Sequence, residues 1–331
     1  MAEALTVGQP LPRRFERALV TGGCGFLGSH LCEQLVWQGT SVVCMDNFAT
    51  GEAANIAALR HMREFELLEH DVTEPFTVPG PFDLVLHLAT TASPRDYLRL
   101  PIETLRAGSW GTANALDFAW RHNARFLLAS TSEVYGDPLV HPQTESYWGN
   151  VNPIGPRSVY DESKRYAEAL TTAYRGEHGI NTTIARIFNS YGPRMRPNDG
   201  RMIPTFIRQA LAGEPLTVVG SGEQTRSVCY VDDTVAGLLS LAASNHPGPV
   251  NIGNPHELSV RRVADEIRRL IKTAGPVRHI EATVDDPQRR CPDISLAGSI
   301  LNWRPRVTLR DGLQRTVSWF TDELGPSQSA S

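Results

Sequence analysis

The sequence predicts an α/β fold, in which a doubly wound parallel sheet is followed by a smaller C-terminal α/β lobe. Short apolar runs typical of strands alternate with longer helical stretches up to about residue 188, as expected for a parallel sheet covered by helices on both faces. A cluster of glycines separates the first apolar run from the first helical stretch. Beyond residue 188 proline and glycine become dense, and a length of 331 residues suits about two domains of roughly 150 residues each.

The elements of the first domain follow from the residue patterns in chain order. Short runs rich in apolar or β-branched residues predict strands at Arg17–Thr21, Ser41–Met45, Phe65–Glu69, Asp83–Leu88, Arg125–Ala129 and Asn181–Ile187. Longer stretches with helical spacing predict helices at Phe26–Gln38, Ile102–His122 and Val159–His178. We therefore assign residues 1–188 to the first domain, with segments near 228–254 returning to it, 189–322 to the second and 323–331 to a loose tail; the first ~16 residues are also expected to be loose.

Charge and composition exclude several classes of protein. The chain has 32 Lys and Arg and 36 Asp and Glu, so its formal net charge is −4. It therefore lacks the excess of basic residues that is typical of nucleic-acid-binding proteins. No apolar run approaches the ~20 residues needed to cross a bilayer, and the first residues do not resemble an export signal, so we expect no membrane association and a cytoplasmic location. The five cysteines form no C-x-x-C pair, which predicts neither a disulfide framework nor a metal site.

The glycine cluster has the spacing of a dinucleotide-binding turn. Gly22, Gly25 and Gly28 recur at intervals of three between a strand and a helix, where glycine lets the backbone approach a pyrophosphate and the helix N-terminus favours negative charge. Asp46 ends the next strand, 18 residues after Gly28, and a carboxylate there accepts the ribose hydroxyls of NAD but repels the 2′-phosphate of NADP. The alternative is an ordinary tight turn. The pattern favours an NAD-binding Rossmann-type domain with these cofactor residues: Gly22, Gly25, Phe26, Leu27, Gly28, Asp46, Asn47, Asp71, Val72, Leu88, Ala89, Tyr160 and Lys164.

A candidate catalytic cluster follows the strand at Arg125–Ala129. Thr131 is the second residue after that strand, and Tyr160 and Lys164 lie four residues apart, on one face of the next long helix. A phenol has a pKa of ~10, and we expect the nearby ammonium to lower it enough for Tyr160 to accept a hydroxyl proton. Thr131 would share a hydrogen bond with the same hydroxyl.

With these residues the chain resembles the extended short-chain dehydrogenase/reductase family and, within it, the UDP-glucuronate decarboxylases. The resemblance extends from about Arg17 to Phe320. Its most specific stretches are ASTSEVYGDP, HPQTESYWGNVNPIGPRSVYDESKR, RIFNSYGPRM, NDGRMIPTFI, GEPLTVVGSGEQTRSVCYVDD and DDPQRRCPDI.

The resemblance implies an NAD-dependent lyase that converts UDP-glucuronate to UDP-xylose. Oxidation at C4 makes a ketone β to the carboxylate, CO₂ leaves, C5 is protonated and C4 is reduced again. The implied catalytic residues are Thr131, Ser132, Glu133, Tyr160, Lys164 and Arg290, of which Glu133 and Arg290 are associated with loss of CO₂. The implied substrate-binding residues are Tyr97, Asn189, Arg201, Leu216, Val218, Arg226 and Arg290, and the two long helices resemble those that join homodimers in this family.

Three other functions remain open on sequence grounds. A 4-epimerase acting on UDP-glucuronate would retain all carbons, and a 4,6-dehydratase of a nucleotide hexose would need an acid to protonate the leaving hydroxyl. Relatives that are dehydratases usually carry Asp at the place of Ser132, and epimerases usually carry a small or hydroxyl residue at the place of Glu133. A non-catalytic NAD-sensing protein would not need the intact set of Thr131, Tyr160 and Lys164.

The chain departs from the family pattern in the loops around the cofactor. Thr90-Thr91 stands where Ser-Pro is usual, and Gly108 replaces a usual asparagine. Gly51-Glu52-Ala53-Ala54 lacks the basic residues that often occur there. These changes are expected to affect cofactor affinity or the choice of substrate.

Overall fold

The computed structural model describes residues 15–281 and 289–325. Its strands are β1 Arg17–Thr21, β2 Ser41–Asp46, β3 Phe65–Glu69, β4 Leu84–His87, β5 Arg125–Thr131, β6 Thr182–Ile187, β7 Ser190–Tyr191, β8 Leu216–Val219, β9 Thr225–Ser227, β10 Cys229–Tyr230, β11 Val250–Ile252, β12 Glu257–Ser259, β13 Val277–Ile280 and β14 Arg289–Arg290. Its α-helices are α1 Phe26–Trp37, α2 Pro94–Arg99, α3 Pro101–Arg106, α4 Thr112–His122, α5 Ser158–His178, α6 Met202–Leu211, α7 Val231–Ala243, α8 Val260–Leu270, α9 Ser295–Leu301 and α10 Leu309–Leu324.

The main sheet is the predicted doubly wound parallel sheet. Seven strands lie in the order β11-β6-β5-β4-β1-β2-β3, and all their pairings are parallel. The central strands are buried on both faces, which explains their nearly continuous apolar sequences. The order reverses at β1 and β4, so a crevice opens outside the carboxyl ends of these strands.

The C-terminal lobe is built from shorter pieces. A three-stranded sheet, β12-β9-β14, and a pair, β13-β8, lie with α6 and α8 beyond the main sheet. Strand β11 belongs to the main sheet although it is late in sequence, and α7 packs against β6. One continuous apolar core joins α1 and α7 to the lobe through Ile203 and Val263. The domain boundary placed at residue 188 stays a prediction.

Several elements differ from the sequence prediction. The helix predicted over Ile102–His122 begins at Pro101 and contains a π-helical turn at Ala107–Gly111. Helix α2 was not predicted, because its Pro94 resembles a loop residue. Phe15 is buried rather than loose, and α10 continues to Leu324 inside the predicted tail.

Two predictions concern parts of the chain that the structure describes incompletely. Residues 1–14 and 326–331 of the predicted loose ends, and Asp286–Gln288 of the arginine-rich segment, lie outside the described residues.

All five cysteines are buried and free. In the part that the structure covers, none of the helices combines the length and the apolar character needed to span a bilayer.

Candidate active site

A cavity of about 1370 Å³ lies between the carboxyl ends of the strands and the C-terminal lobe. Pockets for one small ligand are usually ~300–1,000 Å³, so this cavity has room for a dinucleotide and a second ligand. Every predicted cofactor residue lines it: Gly22, Gly25, Phe26, Leu27, Gly28, Asp46, Asn47, Asp71, Val72, Leu88, Ala89, Tyr160 and Lys164.

The glycine turn leaves no room for side chains. Gly22 has φ +71°, and a Cβ there would lie 2.8 Å from the backbone nitrogen of Ala89. A Cβ on Gly28 would overlap the carbonyl oxygen of Gly22. The backbone can therefore approach a ligand at the N-terminus of α1, where no side chain caps the helix.

Asp46 holds its carboxylate beside this turn. Its oxygens accept hydrogen bonds from the backbone nitrogens of Cys24 and Phe48, each at 2.9 Å. A Cβ on Gly51 would lie 2.7 Å from Asp46 Oδ1, so the segment that departs from the family pattern packs directly over the carboxylate. Burial raises the pKa of Asp46 while the backbone hydrogen bonds oppose the rise. The glycine turn and this fixed acceptor fit the adenosine ribose and pyrophosphate of NAD.

Thr131, Tyr160 and Lys164 meet at the other end of the cavity. Strand β5 continues two residues beyond its predicted end and places Thr131 at its last position. Lys164 Nζ donates a hydrogen bond of 2.7 Å to the carbonyl oxygen of Ala129 and lies 5.9 Å from the centre of the Tyr160 ring.

The predicted lowering of the Tyr160 pKa is not seen. Burial raises the pKa of Tyr160, and the hydrogen bond with Thr131 only partly opposes it. Burial also lowers the pKa of Lys164 to about 7, so the ammonium is itself disfavoured in this dry site. Lys164 lies on the same helix face as Tyr160, as predicted, but desolvation of both groups outweighs the effect of its charge on the pKa of Tyr160.

Tyr97 of α2 covers the catalytic phenol. Its ring stacks on the Tyr160 ring with centres 5.3 Å apart and planes 8° apart. Burial raises the pKa of Tyr97 to about 12, so it stays a neutral hydrogen-bond donor. Tyr97 lines the cavity as predicted for a substrate-binding residue.

Glu133 lies between two arginines. Arg157 Nη2 donates to Glu133 Oε2 at 2.6 Å, and Arg290 Nη1 donates to Glu133 Oε1. Burial alone would raise the pKa of Glu133, but the two guanidinium groups outweigh it and lower that pKa to about 2. The two arginines thus balance the negative charge of Glu133, which would otherwise repel a carboxylate on a ligand. One positive charge of the arginine pair remains in excess.

The remaining predicted substrate residues divide into two groups. Asn189, Arg201, Arg226 and Arg290 line the cavity. Leu216 and Val218 do not, since their side chains are fully buried in the core and the alternate residues of β8 line the cavity instead. The uracil contact expected there is made by the backbone of Leu216–Val218, which does not depend on the face to which the side chains point, and it stays a prediction.

Ser132 also differs from expectation. It begins a 3₁₀ turn, Ser132–Tyr135, is 1% exposed and does not line the cavity. Its neighbours Thr131 and Glu133 both do.

Several arginines of the site were not predicted from the sequence. Arg157 precedes α5 and was quoted only as part of a motif, although its side chain pairs with Glu133. Arg194 and Arg196 line the cavity from the proline-rich segment, in which only Arg201 was predicted to bind substrate. Three arginines within a YGPRMRPNDGR stretch were the available signal for a site that binds anions.

Two of the residues that depart from the family pattern, Thr91 and Gly108, make specific contacts in the structure. The hydroxyl groups of Thr91 and Thr104 are hydrogen bonded, which joins the loop after β4 to α3 in place of a proline constraint. Gly108 lies in the π-helical turn, where a Cβ would be 2.6 Å from Ser163 Cβ on α5.

The fold and the site together define an NAD-dependent enzyme of nucleotide sugars: the chain belongs to the NAD dependent epimerase/dehydratase family, whose model matches residues 18–253. It is 51% identical over 309 residues to UDP-glucuronic acid decarboxylase 1 of Xenopus tropicalis, covering 93% of this chain and 73% of the relative. It is 52% identical over 310 residues to UDP-glucuronic acid decarboxylase 6 of Arabidopsis thaliana, covering 93% and 90%.

Solved structures give the same architecture at lower identity. The UDP-glucuronic acid 4-epimerase of Bacillus cereus, in complex with UDP-glucuronic acid and NAD, superposes with a TM-score of 0.82 at 27% identity, covering 93% of this chain and 99% of that one. The UDP-N-acetylglucosamine 4-epimerase of Methanobrevibacter ruminantium superposes with a TM-score of 0.87 at 25% identity, covering 94% and 100%.

Proposed function

We propose that this protein is a UDP-glucuronate decarboxylase that forms UDP-xylose with catalytic NAD. The observation that carries the proposal is the Arg157–Glu133–Arg290 cluster at the same edge of the cavity as Thr131, Tyr160 and Lys164. It is supported by relatives of that activity at about half identity over most of the chain.

The residues divide the chemistry between them. Tyr160 and Thr131 hold the C4 hydroxyl. Tyr160 reacts as the phenolate, which the positive charges of Lys164 and of oxidised NAD would stabilise against the effect of burial, and it takes the hydroxyl proton and later returns it. NAD, when bound, supplies the reversible oxidation at C4. Arg290 and Arg157 bind the sugar carboxylate and orient its bond to C5, so that the electrons released with CO₂ move toward the C4 ketone.

The site disfavours the alternative reactions for separate reasons. A 4,6-dehydratase must protonate a leaving hydroxyl at C6, and Ser132 supplies no carboxylic acid and is buried away from the cavity. An epimerase must keep the sugar carboxylate, and epimerases usually carry a small or hydroxyl residue at the place of Glu133. The intact catalytic set and the glycine turn disfavour a non-catalytic sensor.

A product assay tests the proposal. Purified protein is incubated with UDP-glucuronate labelled with ¹³C at C6, and nucleotide sugars and CO₂ are analysed by mass spectrometry. We expect labelled CO₂ and an unlabelled UDP-pentose in equal amounts, with no net reduction of NAD. UDP-galacturonate with the label retained would establish the epimerase instead, and a 4-keto-6-deoxy sugar from a nucleotide hexose would establish the dehydratase.

We also propose that the protein is a homodimer. Exposed apolar side chains lie on the π-helical turn and on α2, α3 and α5, which pack beside one another: Leu98, Ile102, Leu105, Trp110 and Tyr166. A face of this kind favours association. Light scattering should give twice the chain mass of 36.5 kDa, and Trp110→Glu should halve it.

We also propose that the protein is located in the cytoplasm. The support is the set of five free thiols, which a reducing compartment maintains. Imaging of the full chain fused to a fluorescent protein in its own cell would test it, and accumulation in a secretory compartment would contradict it.

A further inference from the structure

A second, smaller cavity lies behind Glu133. It measures about 310 Å³ and shares Glu133, Arg157 and Arg290 with the main cavity, so the ion-pair cluster forms the wall between the two. Asp161 lines the small cavity and not the large one. The remainder of its lining is mostly polar or glycine: Gly136, Asp137, Asn150, Val151, Asn152 and Gly155.

Two residues that line the small cavity each have a buried polar atom without a hydrogen-bond partner among the described residues. The two atoms are Asp161 Oδ1 and Arg290 Nε. Asp161 is 6% exposed and Arg290 4%. A carboxyl oxygen and a guanidinium N–H that line one polar cavity are complementary groups, and the volume suffices for several waters at ~30 Å³ each. The cavity is therefore suited to a hydrogen-bonded chain of water between Asp161 and the cluster.

The charges around Asp161 favour its protonated form. Glu133, Glu162 on the same helix and Asp137 across the cavity oppose a further negative charge, whereas Arg157 and Arg290 favour one. Burial and the negative charge of Glu133 together raise the pKa of Asp161 to about 7, against the opposing effect of the two arginines. With Glu133 ionised and Asp161 neutral, the cluster carries one net positive charge, which matches one substrate carboxylate.

The proposed reaction consumes one proton that the oxidation and reduction at C4 do not provide. The proton from the C4 hydroxyl goes to Tyr160 and returns to the same oxygen. When CO₂ leaves, the electron pair of its bond to C5 becomes an enolate, and a new C–H bond at C5 needs a proton from solvent. Tyr160, neutral after taking the first proton, must keep it for the final reduction.

We propose that Asp161 holds the proton for C5 and delivers it through water in the small cavity, with Glu133 as the last group on the route. In this step the O–H bond of Asp161 breaks and its proton passes through water to the Glu133 carboxylate. Glu133 gives that proton to the enolate, whose electron pair forms the C–H bond at C5, and Asp161 is protonated again from solvent through the small cavity. Asp161 acts through Glu133 and does not touch the sugar, so it is a positioning residue. This inference rests on the proposed decarboxylase function.

The test compares Asp161→Asn with Glu162→Gln. Glu162 is the next residue on α5, is partly exposed and pairs with Arg165 at 3.6 Å, so it is a matched carboxylate outside the small cavity. Reactions are acid-quenched during steady turnover, and UDP-4-ketopentose is measured against UDP-xylose. We expect kcat to fall about 10²-fold in Asp161→Asn, because the enolate accumulates on the enzyme. The acid quench protonates this enolate, so it is measured as ketopentose, and we expect a larger solvent deuterium isotope effect on UDP-xylose formation.

Further measurements separate this role from a structural one. In the wild type the ketopentose fraction should grow as pH rises through about 7, the pKa of Asp161, and it should not change with pH in Asp161→Asn. Asp161→Glu should restore most of the rate, and Glu162→Gln should stay within about twofold of the wild type. An Asp161→Asn variant that slows every step equally, with an unchanged ketopentose fraction and isotope effect, would overturn the proposal.

The failure of the proposed function would look different. In that case the wild type itself would release no CO₂ and form no pentose. If Asp161→Asn did not fold, the wild-type pH dependence and the Asp161→Glu variant would decide, and a ketopentose fraction that is constant with pH in both would overturn the proposal.

Discussion

The two ends of the active-site cavity are built in different ways. At the cofactor end, the glycine turn and Asp46 come from one continuous β-α-β unit between Arg17 and Asp46. At the sugar end, Glu133 meets Arg157, 24 positions away, and Arg290, 157 positions away. Cofactor binding is therefore a local property of the sequence, whereas the choice of reaction depends on how the C-terminal lobe folds onto the sheet.

The largest effect is expected from a change at the cofactor end. Gly28→Ala places a Cβ against the carbonyl oxygen of Gly22, so the turn must open; we expect loss of NAD binding and a destabilisation of at least about 3 kcal/mol. Calorimetric titration with NAD and urea unfolding measure the two effects. The matched control is Gly176→Ala in α5, where a Cβ meets nothing within 4 Å and should stabilise the helix by about 0.5–1 kcal/mol. Normal NAD binding by Gly28→Ala would contradict this, because it would show that the turn can accommodate a Cβ at residue 28.

The second-largest effect is expected from a change at the sugar end of the cavity. Arg290→Ala leaves Glu133 with Arg157 alone and removes half of the carboxylate site, so we expect the rate of CO₂ release to fall by about 10²–10³-fold while NAD affinity is retained. Stopped-flow absorbance at the nicotinamide band, with quenched CO₂ analysis, separates oxidation from decarboxylation. Arg289→Ala is the control, since Arg289 has a side chain 61% exposed and should show a normal rate. Equal losses in both variants would argue against a specific role for Arg290.

A smaller effect tests cofactor selectivity. Asp46→Asn removes the charge that repels a 2′-phosphate, and we expect the preference for NAD over NADP to fall about tenfold, equivalent to roughly 1.4 kcal/mol. Titration of each variant with both dinucleotides measures the ratio. Asp71→Asn, at the end of the neighbouring strand, should weaken both cofactors without changing their ratio. An unchanged ratio in Asp46→Asn would mean that other groups select the cofactor.

The smallest effect is a pH dependence of stability at the sugar end. Because the pKa of Asp161 is raised from its ordinary 3.8 to about 7, the folded state binds this proton more tightly than the unfolded state. The resulting stability is fully present below about pH 4 and is lost as pH rises through 7. Asp161→Asn lacks this loss, so it should exceed the wild type in free energy of unfolding by about 1–2 kcal/mol near pH 8 and not near pH 4. Urea unfolding at both pH values measures it, and a difference that is constant with pH would contradict it.

The local parts of the molecule were predictable from sequence. The glycine spacing, Asp46 and the Tyr160–Lys164 pair each depend on a strand or helix that its own residues specify, and all of them line the cavity. Six of the seven strands of the main sheet were predicted within about two residues, because their apolar runs are bounded by turn residues, whereas β11 was not predicted as a strand.

The parts that depend on tertiary packing were not predictable in the same way. Arg157 lies beside a predicted helix, yet only the approach of β5 gives it Glu133 as a partner. The alternation of β8 shows that two faces exist but not which face meets the cavity, so the burial of the Leu216 and Val218 side chains in the core could not be foreseen. The backbone contact with uracil predicted there stays a prediction. The raised pKa of Tyr160 depends on burial, which no single motif reveals.

The contact between Gly108 and Ser163 has an evolutionary consequence. An added Cβ at residue 108 would lie 2.6 Å from Ser163 Cβ and 2.9 Å from its carbonyl oxygen, so neither position has room to grow alone. Relatives with asparagine at the first position therefore need a smaller residue at the second or a wider helix spacing. The two sites should covary among homologues, and a chimera that exchanges only one of the two helices should misfit where an exchange of both restores the packing.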